Sequence, residues 1–374
     1  MTHLKIAFST KSFTEESLNL QWLIYLTRVQ ICQYIMTQKF LSGRFLACFR
    51  LFDDQVKQAH RRRCDRYPNR GKKTFRNAEK GRYEHHPQQH PGRIERKKMA
   101  FIQVNMMSES LLRTININAI IPADKIPMPD QKDQKVEKVK TFKTLYLLHG
   151  IFGSQVDWIN GTNLQRWAEE KNLAVIMPAG ENRFYVDQPK THDYYGRFIG
   201  EELIRVTRDL FPLSDKKEDT FICGLSMGGY GALRNGLKYC DTFGYVAALS
   251  AASMIDDPSN AISFMGDGYL EAIFGDLKKA KKSDVSIDWL IKENAKKKQN
   301  DQKFYLACGE SDRLLSFSEK TSALLKKNGY DVVYESGSGA HEWDFWNRYI
   351  KHVIDWLPLD EPEGGLNSGN TGDR

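Results

Sequence analysis

The chain has 374 residues, 41% of them hydrophobic and 11% aromatic. That composition supplies a full buried core and excludes the fibrous and wholly disordered classes, while the length admits one large domain with an appendage, or two domains. The net charge of +8 is unevenly spread: residues 1–98 carry 21 Lys and Arg against 8 Asp and Glu, leaving 34 basic and 39 acidic residues beyond them. A basic surface for nucleic acid or acidic membrane is therefore a question about the front segment alone.

In that segment Arg28, Lys39 and Arg44 interrupt the apolar stretches before the ~18 residues that a membrane span requires. No small-residue cleavage site follows a short apolar core, so neither a span nor a secretion signal is expected. From Gln58 to Lys98 the chain is dense in Arg, Lys, His, Gln and Pro and has no apolar period, so it cannot bury enough surface to offset its ordering entropy and is expected to be mobile. The run Arg61, Arg62, Arg63, Arg66, Arg70 is either a basic arm or part of a stretch foreign to the native protein. No nucleic-acid-binding motif supports the arm, so we expect the second and no nucleic-acid partner. Glu95, Arg96, Lys97 and Lys98 all have purine-rich codons, which fits a ribosome-binding site read as protein with Met99 as the start. Mass spectrometry of the natural protein would then find no peptide from upstream of Met99.

From Met99 the pattern is regular. Apolar runs at Thr114–Ile121, Lys143–Leu148, Leu173–Met177, Thr220–Cys223, Tyr245–Ser250, Lys303–Cys308 and Asp331–Tyr334 predict strands. Helical patterns at Leu164–Lys171, Gly200–Phe211, Met227–Lys238 and Phe317–Asn328 fall between most of them. Buried strands alternating with helices predict a mostly parallel sheet covered on both faces, with ligands beyond the carboxyl ends of the strands. Lys125–Lys140 reads as a surface loop. Residues 251–300, with Phe264, Tyr269, Phe274 and a lysine-rich helix around Lys278–Lys282, read as an insertion that either caps the site or runs over the surface. The domain limits expected are 1–98 for the basic extension, 99–360 for the α/β domain and 361–374 for a flexible tail. The six cysteines form no C-x-x-C pair and no metal-ligand spacing, which points to a reducing compartment.

The chemistry starts at Gly224-Leu225-Ser226-Met227-Gly228, with a strand before it and a helix after it. A sharp strand-to-helix turn needs small flanking residues and lifts the serine hydroxyl above the sheet. The hydroxyl is a weak nucleophile until a base takes its proton. His341 lies in a small-residue loop after the last strand, whereas His352 falls within the amphipathic pattern Trp346, Tyr349, Ile350, Val353, Trp356, so His341 is the expected base. A carboxylate just past the preceding strand should orient the imidazole: Asp312 reaches further from the strand end, and Glu310 is the alternative. Backbone N–H groups of Met227 and of Ile151, in His149-Gly150-Ile151-Phe152-Gly153, are the expected oxyanion donors, with His149 itself a structural ring.

Leu145-Tyr146-Leu147-Leu148-His149-Gly150, Trp158, Asp193-Tyr194-Tyr195, Gly224-Leu225-Ser226-Met227-Gly228-Gly229-Tyr230-Gly231, Cys308-Gly309-Glu310-Ser311-Asp312 and His341-Glu342-Trp343 together resemble the tributyrin esterases. These belong to a wider family that includes S-formylglutathione hydrolases and feruloyl esterases. The resemblance runs from about Met99 to Pro358. It implies an α/β-hydrolase fold, hydrolysis of short acyl esters (acetyl to butyryl), a cytoplasmic location, no cofactor, no membrane partner and possible homo-oligomers. It also implies Ser226, Asp312 and His341 as nucleophile, acid and base. Feruloyl or acetyl-xylan esterase, thioester hydrolase and acyltransferase are the alternatives. Ala179–Phe184 departs from the loops of the relatives. Trp158, Tyr194, Tyr195 and Trp343 are expected either to wall an apolar substrate pocket or to serve as core.

Overall fold

The computed structural model describes residues 98–124, 141–260, 266 and 268–359. The expected basic extension up to residue 97, the loop 125–140, Phe264 and the tail 361–374 lie outside the described residues. Eight strands form one sheet: β1 (Lys98–Ser108), β2 (Arg113–Asp124), β3 (Thr144–Leu148), β4 (Ala174–Pro178), β7 (Thr220–Leu225), β8 (Tyr245–Leu249), β9 (Lys303–Gly309) and β10 (Asp331–Gly337). Their order is β1-β2-β4-β3-β7-β8-β9-β10, and the short strands β5 (Asp187–Gln188) and β6 (Asp193–Tyr194) pair separately. From β4 to β10 every neighbour is parallel, while β1–β2 and β2–β4 are antiparallel.

All seven expected strands are present, and in β3, β4, β7, β8 and β9 the reason is burial on both faces. In β3, Tyr146 and Leu148 join one apolar layer, whereas Leu145 and Leu147 join the other. The first layer is closed by α2 (Leu203–Leu210), α3 (Met227–Lys238), α4 (Ile287–Lys296) and α5 (Leu315–Lys327). The second is closed by α1 (Leu164–Glu170) and α6 (Trp343–Trp356). The sheet is thus mostly parallel with helices on both faces, the α/β-hydrolase arrangement.

Three elements depart from the expectations. β1 alternates exposed Phe101 and Met107 with half-buried Ile102, Val104 and Met106, the pattern of an edge strand with one covered face. The expected helix from Gly200 begins earlier, with a π turn at Phe198–Glu202 leading into α2. In the 251–300 interval the lysine-rich helix is a single turn, Leu277–Ala280, capped by the Asp276 side chain, which accepts from the N–H groups of Lys278 and Lys279. It is followed by α4, which packs on α3 and donates Asn294 Nδ2 to the Leu237 carbonyl at 2.7 Å. The rear of that interval is therefore part of the helical layer. Among the described residues no helix is long and apolar enough to cross a membrane.

Candidate active site

Ser226 sits between the end of β7 and the first residue of α3, at φ 54° and ψ −118°. A non-glycine residue in this region is strained by about 1–3 kcal/mol and persists only where its surroundings hold it. Here Ser226 N–H donates to the Leu249 carbonyl (2.9 Å), and its own carbonyl accepts from Tyr230 and Ala252 N–H (3.0 and 3.1 Å). The glycines two residues to either side are required sterically. A Cβ on Gly224 would press into the Gly228 backbone, and one on Gly228 would meet the carbonyl oxygens of Leu148 and His149. The hydroxyl is consequently raised at the carboxyl end of β7.

Backbone pairing continues past the strand ends and fixes the neighbouring loops. Ser250 N–H donates to Ala307 O (2.8 Å), Glu310 N–H to Gly337 O (2.9 Å) and Ser311 N–H to Gly339 O (3.0 Å). These bonds bring the loops after β9 and β10 beside Ser226. His341 Nε2 lies 3.0 Å from Ser226 Oγ, and its Nδ1 lies 2.8 Å from Asp312 Oδ2. An ionised carboxylate only accepts, so Nδ1 carries the ring proton and Nε2 is free to accept from the serine hydroxyl. Asp312 Oδ1 accepts Leu314 N–H at 2.9 Å. Burial pushes the Asp312 carboxyl up, but His341, Leu314 and the Ser250 hydroxyl outweigh it and hold the group below the usual carboxylate range. Glu310 is exposed, and His352 is exposed with its Nδ1 2.9 Å from Glu335 Oε2. Neither alternative reaches Ser226.

Two residues that sequence inspection places only in a helix pattern and at a strand end brace this arrangement. Trp346 packs perpendicular to the His341 ring, centroids 4.9 Å apart, and donates Nε1–H to Ser250 Oγ at 3.2 Å. Ser250 is fully buried at the end of β8, at φ 48°.

The loop after β3 turns against the serine. Gly153 N–H donates to Gly150 O (3.2 Å), and a Cβ on Gly150 would stand 3.6 Å from Ser226 Cβ. Among the described residues no protein acceptor takes the N–H of Ile151 or of Met227, so both are available to an oxyanion. His149 is a clamp: Nε2 accepts Gly180 N–H (2.8 Å), which leaves Nδ1–H to donate to Gly150 O (2.7 Å). Burial lowers its pKa more than Gly150 and Asp157 raise it, so the ring is neutral.

The four aromatic residues expected near the substrate separate into two pairs. Trp158 is 1% exposed and spends its N–H on the Leu148 carbonyl at 3.0 Å. Tyr195 is 0% exposed, its hydroxyl accepting from Arg113 at 3.1 Å. As folded, both are framework and offer a ligand no surface. Tyr194 is half-buried beside His192, and Trp343 is half-buried between Trp158 (5.7 Å) and Trp346 (5.3 Å).

Comparison with known proteins identifies the family. The family model described as "Putative esterase" matches residues 126–354. An acetyl esterase from Caldicellulosiruptor saccharolyticus is 43% identical over 266 residues, spanning 69% of this chain and 98% of that protein. Among solved structures, the fluorophosphonate-binding serine hydrolase FphF of Staphylococcus aureus is similar at 29% identity and a TM-score of 0.60, over 70% of this chain and 99% of that one. The S-formylglutathione hydrolase FrmB of Staphylococcus aureus follows at 29% and 0.59, over 69% and 98%. A ferulic acid esterase, 19% identical with a TM-score of 0.55 over 69% and 98% of the two chains, shares the fold. The protein is a serine-type carboxylic ester hydrolase of α/β-hydrolase fold, and the chain belongs to the Putative esterase family.

Proposed function

We propose that Ser226 is the nucleophile, His341 the base and Asp312 the acid in hydrolysis of short-chain acyl esters, acetyl to butyryl. The observation that carries this is the single imidazole bridging Ser226 Oγ (3.0 Å) and Asp312 Oδ2 (2.8 Å). In the first half-reaction Ser226 Oγ forms a bond to the ester carbonyl carbon while its proton passes to His341 Nε2. The carbonyl oxygen becomes an oxyanion held by the N–H groups of Ile151 and Met227, an interaction commonly worth about 3–4 kcal/mol per donor. Collapse breaks the bond to the alcohol oxygen, which takes the proton from Nε2 and leaves. Water then attacks the acyl-serine, giving its proton to Nε2, and the acid departs as the proton returns to Ser226. Asp312 stays ionised and stabilises the imidazolium throughout.

The short-chain preference is supported by the 43% identity to an acetyl esterase, with Trp343 and Tyr194 as pocket contacts and Trp158 and Tyr195 as the framework behind them. A panel of p-nitrophenyl esters from acetyl to octanoyl should peak at four carbons or fewer; an optimum at eight or above refutes it. The Ser226→Ala variant should lose turnover and phosphonate labelling together. A thioester reading is favoured by the similarity to FrmB. S-Formylglutathione hydrolysed at a higher kcat/KM than p-nitrophenyl acetate would select it. Three buried free thiols, Cys223, Cys240 and Cys308, support a cytoplasmic location.

A further inference from the structure

The loop Ala179–Phe184, which stands apart in sequence, lies against the loop that carries the Ile151 N–H. Two of the bonds that hold the second loop come from the first. Gly180 N–H donates to the His149 ring (2.8 Å), and Asn182 Oδ1 accepts the N–H of Phe152 (2.8 Å). The Gly150–Gly153 turn has Phe152 at φ 66° and Ile151 outside the positive-φ region, the type II combination. Glycine is the usual occupant of that position, so Phe152 is strained. Rotating the Ile151–Phe152 peptide by about half a turn would relax it to type I geometry. Such a rotation removes the Phe152 N–H from Asn182 and resets ψ of Ile151, and the Gly150–Ile151 peptide next to it has to readjust between the bonds at His149 and Gly153.

We infer that Asn182 is a positioning residue for the oxyanion hole: by accepting the Phe152 N–H it holds the strained turn in the form that aims the Ile151 N–H at Ser226. The inference rests on the reading of Ser226 and Ile151 given above. Asn182 is itself tied to the 251–300 interval, because Tyr269 Oη–H donates to the Asn182 carbonyl at 2.9 Å. Tyr269 therefore bears on the same turn through this bond. The Ile151 N–H that Asn182 positions serves the tetrahedral species and not the ground state, so loss of Asn182 should appear in kcat and leave KM in place.

The test compares the parent protein with Asn182→Ala, Tyr269→Phe and Ser226→Ala. It uses p-nitrophenyl acetate turnover, inactivation by a neutral p-nitrophenyl alkylphosphonate, and Tm. Asn182→Ala is expected to lower kcat about 10-fold with KM within about twofold, and to slow phosphonate inactivation by the same factor. Tyr269→Phe should lower kcat about two- to threefold in the same pattern. An Asn182→Ala enzyme with parental kcat and only a lower Tm, or with a loss confined to KM, overturns the inference. If that variant does not fold, parental kcat in Tyr269→Phe overturns it instead. Turnover retained by Ser226→Ala would defeat the triad itself, whereas an inactive Ser226→Ala beside a fully active Asn182→Ala defeats only the role of Asn182.

Discussion

Replacing Asp312 by Asn tests the assigned acid through a detail of its surroundings. The carboxylate accepts on both sides, from His341 Nδ1–H (2.8 Å) and from Leu314 N–H (2.9 Å). An amide has one acceptor and one donor, so it must choose. If the NH2 faces Leu314, two buried donors oppose each other at a cost of about 1–3 kcal/mol. If it faces His341, the ring must accept at Nδ1 and carry its proton on Nε2, where it can no longer take the proton of Ser226. Leu314 thus biases the amide toward the unproductive tautomer by about 5- to 150-fold. Loss of the negative charge that stabilises the imidazolium comes on top, and kcat for Asp312→Asn should fall by about 10³–10⁴. The fold should survive, since the replacement is isosteric, and Tm should confirm it. Stopped-flow and steady-state assays with p-nitrophenyl acetate measure the fall, with Glu310→Gln as a control that stays within about twofold. Activity within tenfold of the parent in Asp312→Asn would refute both the tautomer argument and the assignment.

Glu202, buried at the end of the π turn, accepts from Ser108 Oγ (2.9 Å), Glu109 N–H (2.7 Å) and Ser110 N–H (2.9 Å). Glu202→Gln should cost about 2–4 kcal/mol in urea unfolding at pH 7, because its NH2 must face one or two donors. Burial raises the Glu202 carboxyl pKa, but the bonds from Ser110, Glu109 and Ser108 bring it below the usual range. The carboxylate's contribution is therefore complete above the unfolded value of about 4.3 and is lost as pH falls through the lower folded value. The deficit of Glu202→Gln should shrink over that acid window, and a deficit that grows on acidification would contradict this account. Gly228→Ala places a methyl against two backbone carbonyls and should lower stability by about 1–3 kcal/mol or more, with kcat down at least 100-fold; a fully active variant of parental Tm would show that the elbow has slack.

The parts of the molecule legible in the sequence are those whose signal is local. β3, β7, β8 and β9 read clearly because both faces are buried and nearly every residue is apolar. The serine turn and the His341 loop read clearly because only small residues fit there. α4 went unread although Ile287, Leu290, Ile291 and Asn294 keep a helical period on its buried face, because the neighbouring lysines suggest a solvated excursion. β1 carried a visible alternation from Phe101 to Met107 but follows directly on the basic segment. Trp158 and Tyr195 show the limit of composition: an aromatic residue announces burial, not whether its free edge meets a substrate or, as here, Leu148 and Arg113. The hydrogen bonds Phe152–Asn182 and Trp346–Ser250 join residues 30 and 96 positions apart in the chain, and no spacing rule reaches that far.

Two adjacent strands end in the same unusual step. Ser226 after β7 and Ser250 after β8 both take positive φ, 54° and 48°. At about 1–3 kcal/mol each, neither would persist in an isolated loop, and both are held by ladder bonds that extend the sheet: Ser226 N–H to Leu249 O and Ser250 N–H to Ala307 O. The first step lifts a hydroxyl to the His341 Nε2 side of the imidazole. The second turns a buried hydroxyl toward Trp346 Nε1, on the indole that packs perpendicular to His341. His341 is thereby located from three directions, by Ser226, by Asp312 and by the Trp346–Ser250 pair, and each of them rests on a strand end or on α6. Because parallel strands all present their carboxyl ends to one edge, a single strained turn repeated on neighbouring strands gathers groups from distant parts of the chain into one hydrogen-bonded line, so the accuracy of the site derives from the rigidity of β7, β8 and β9.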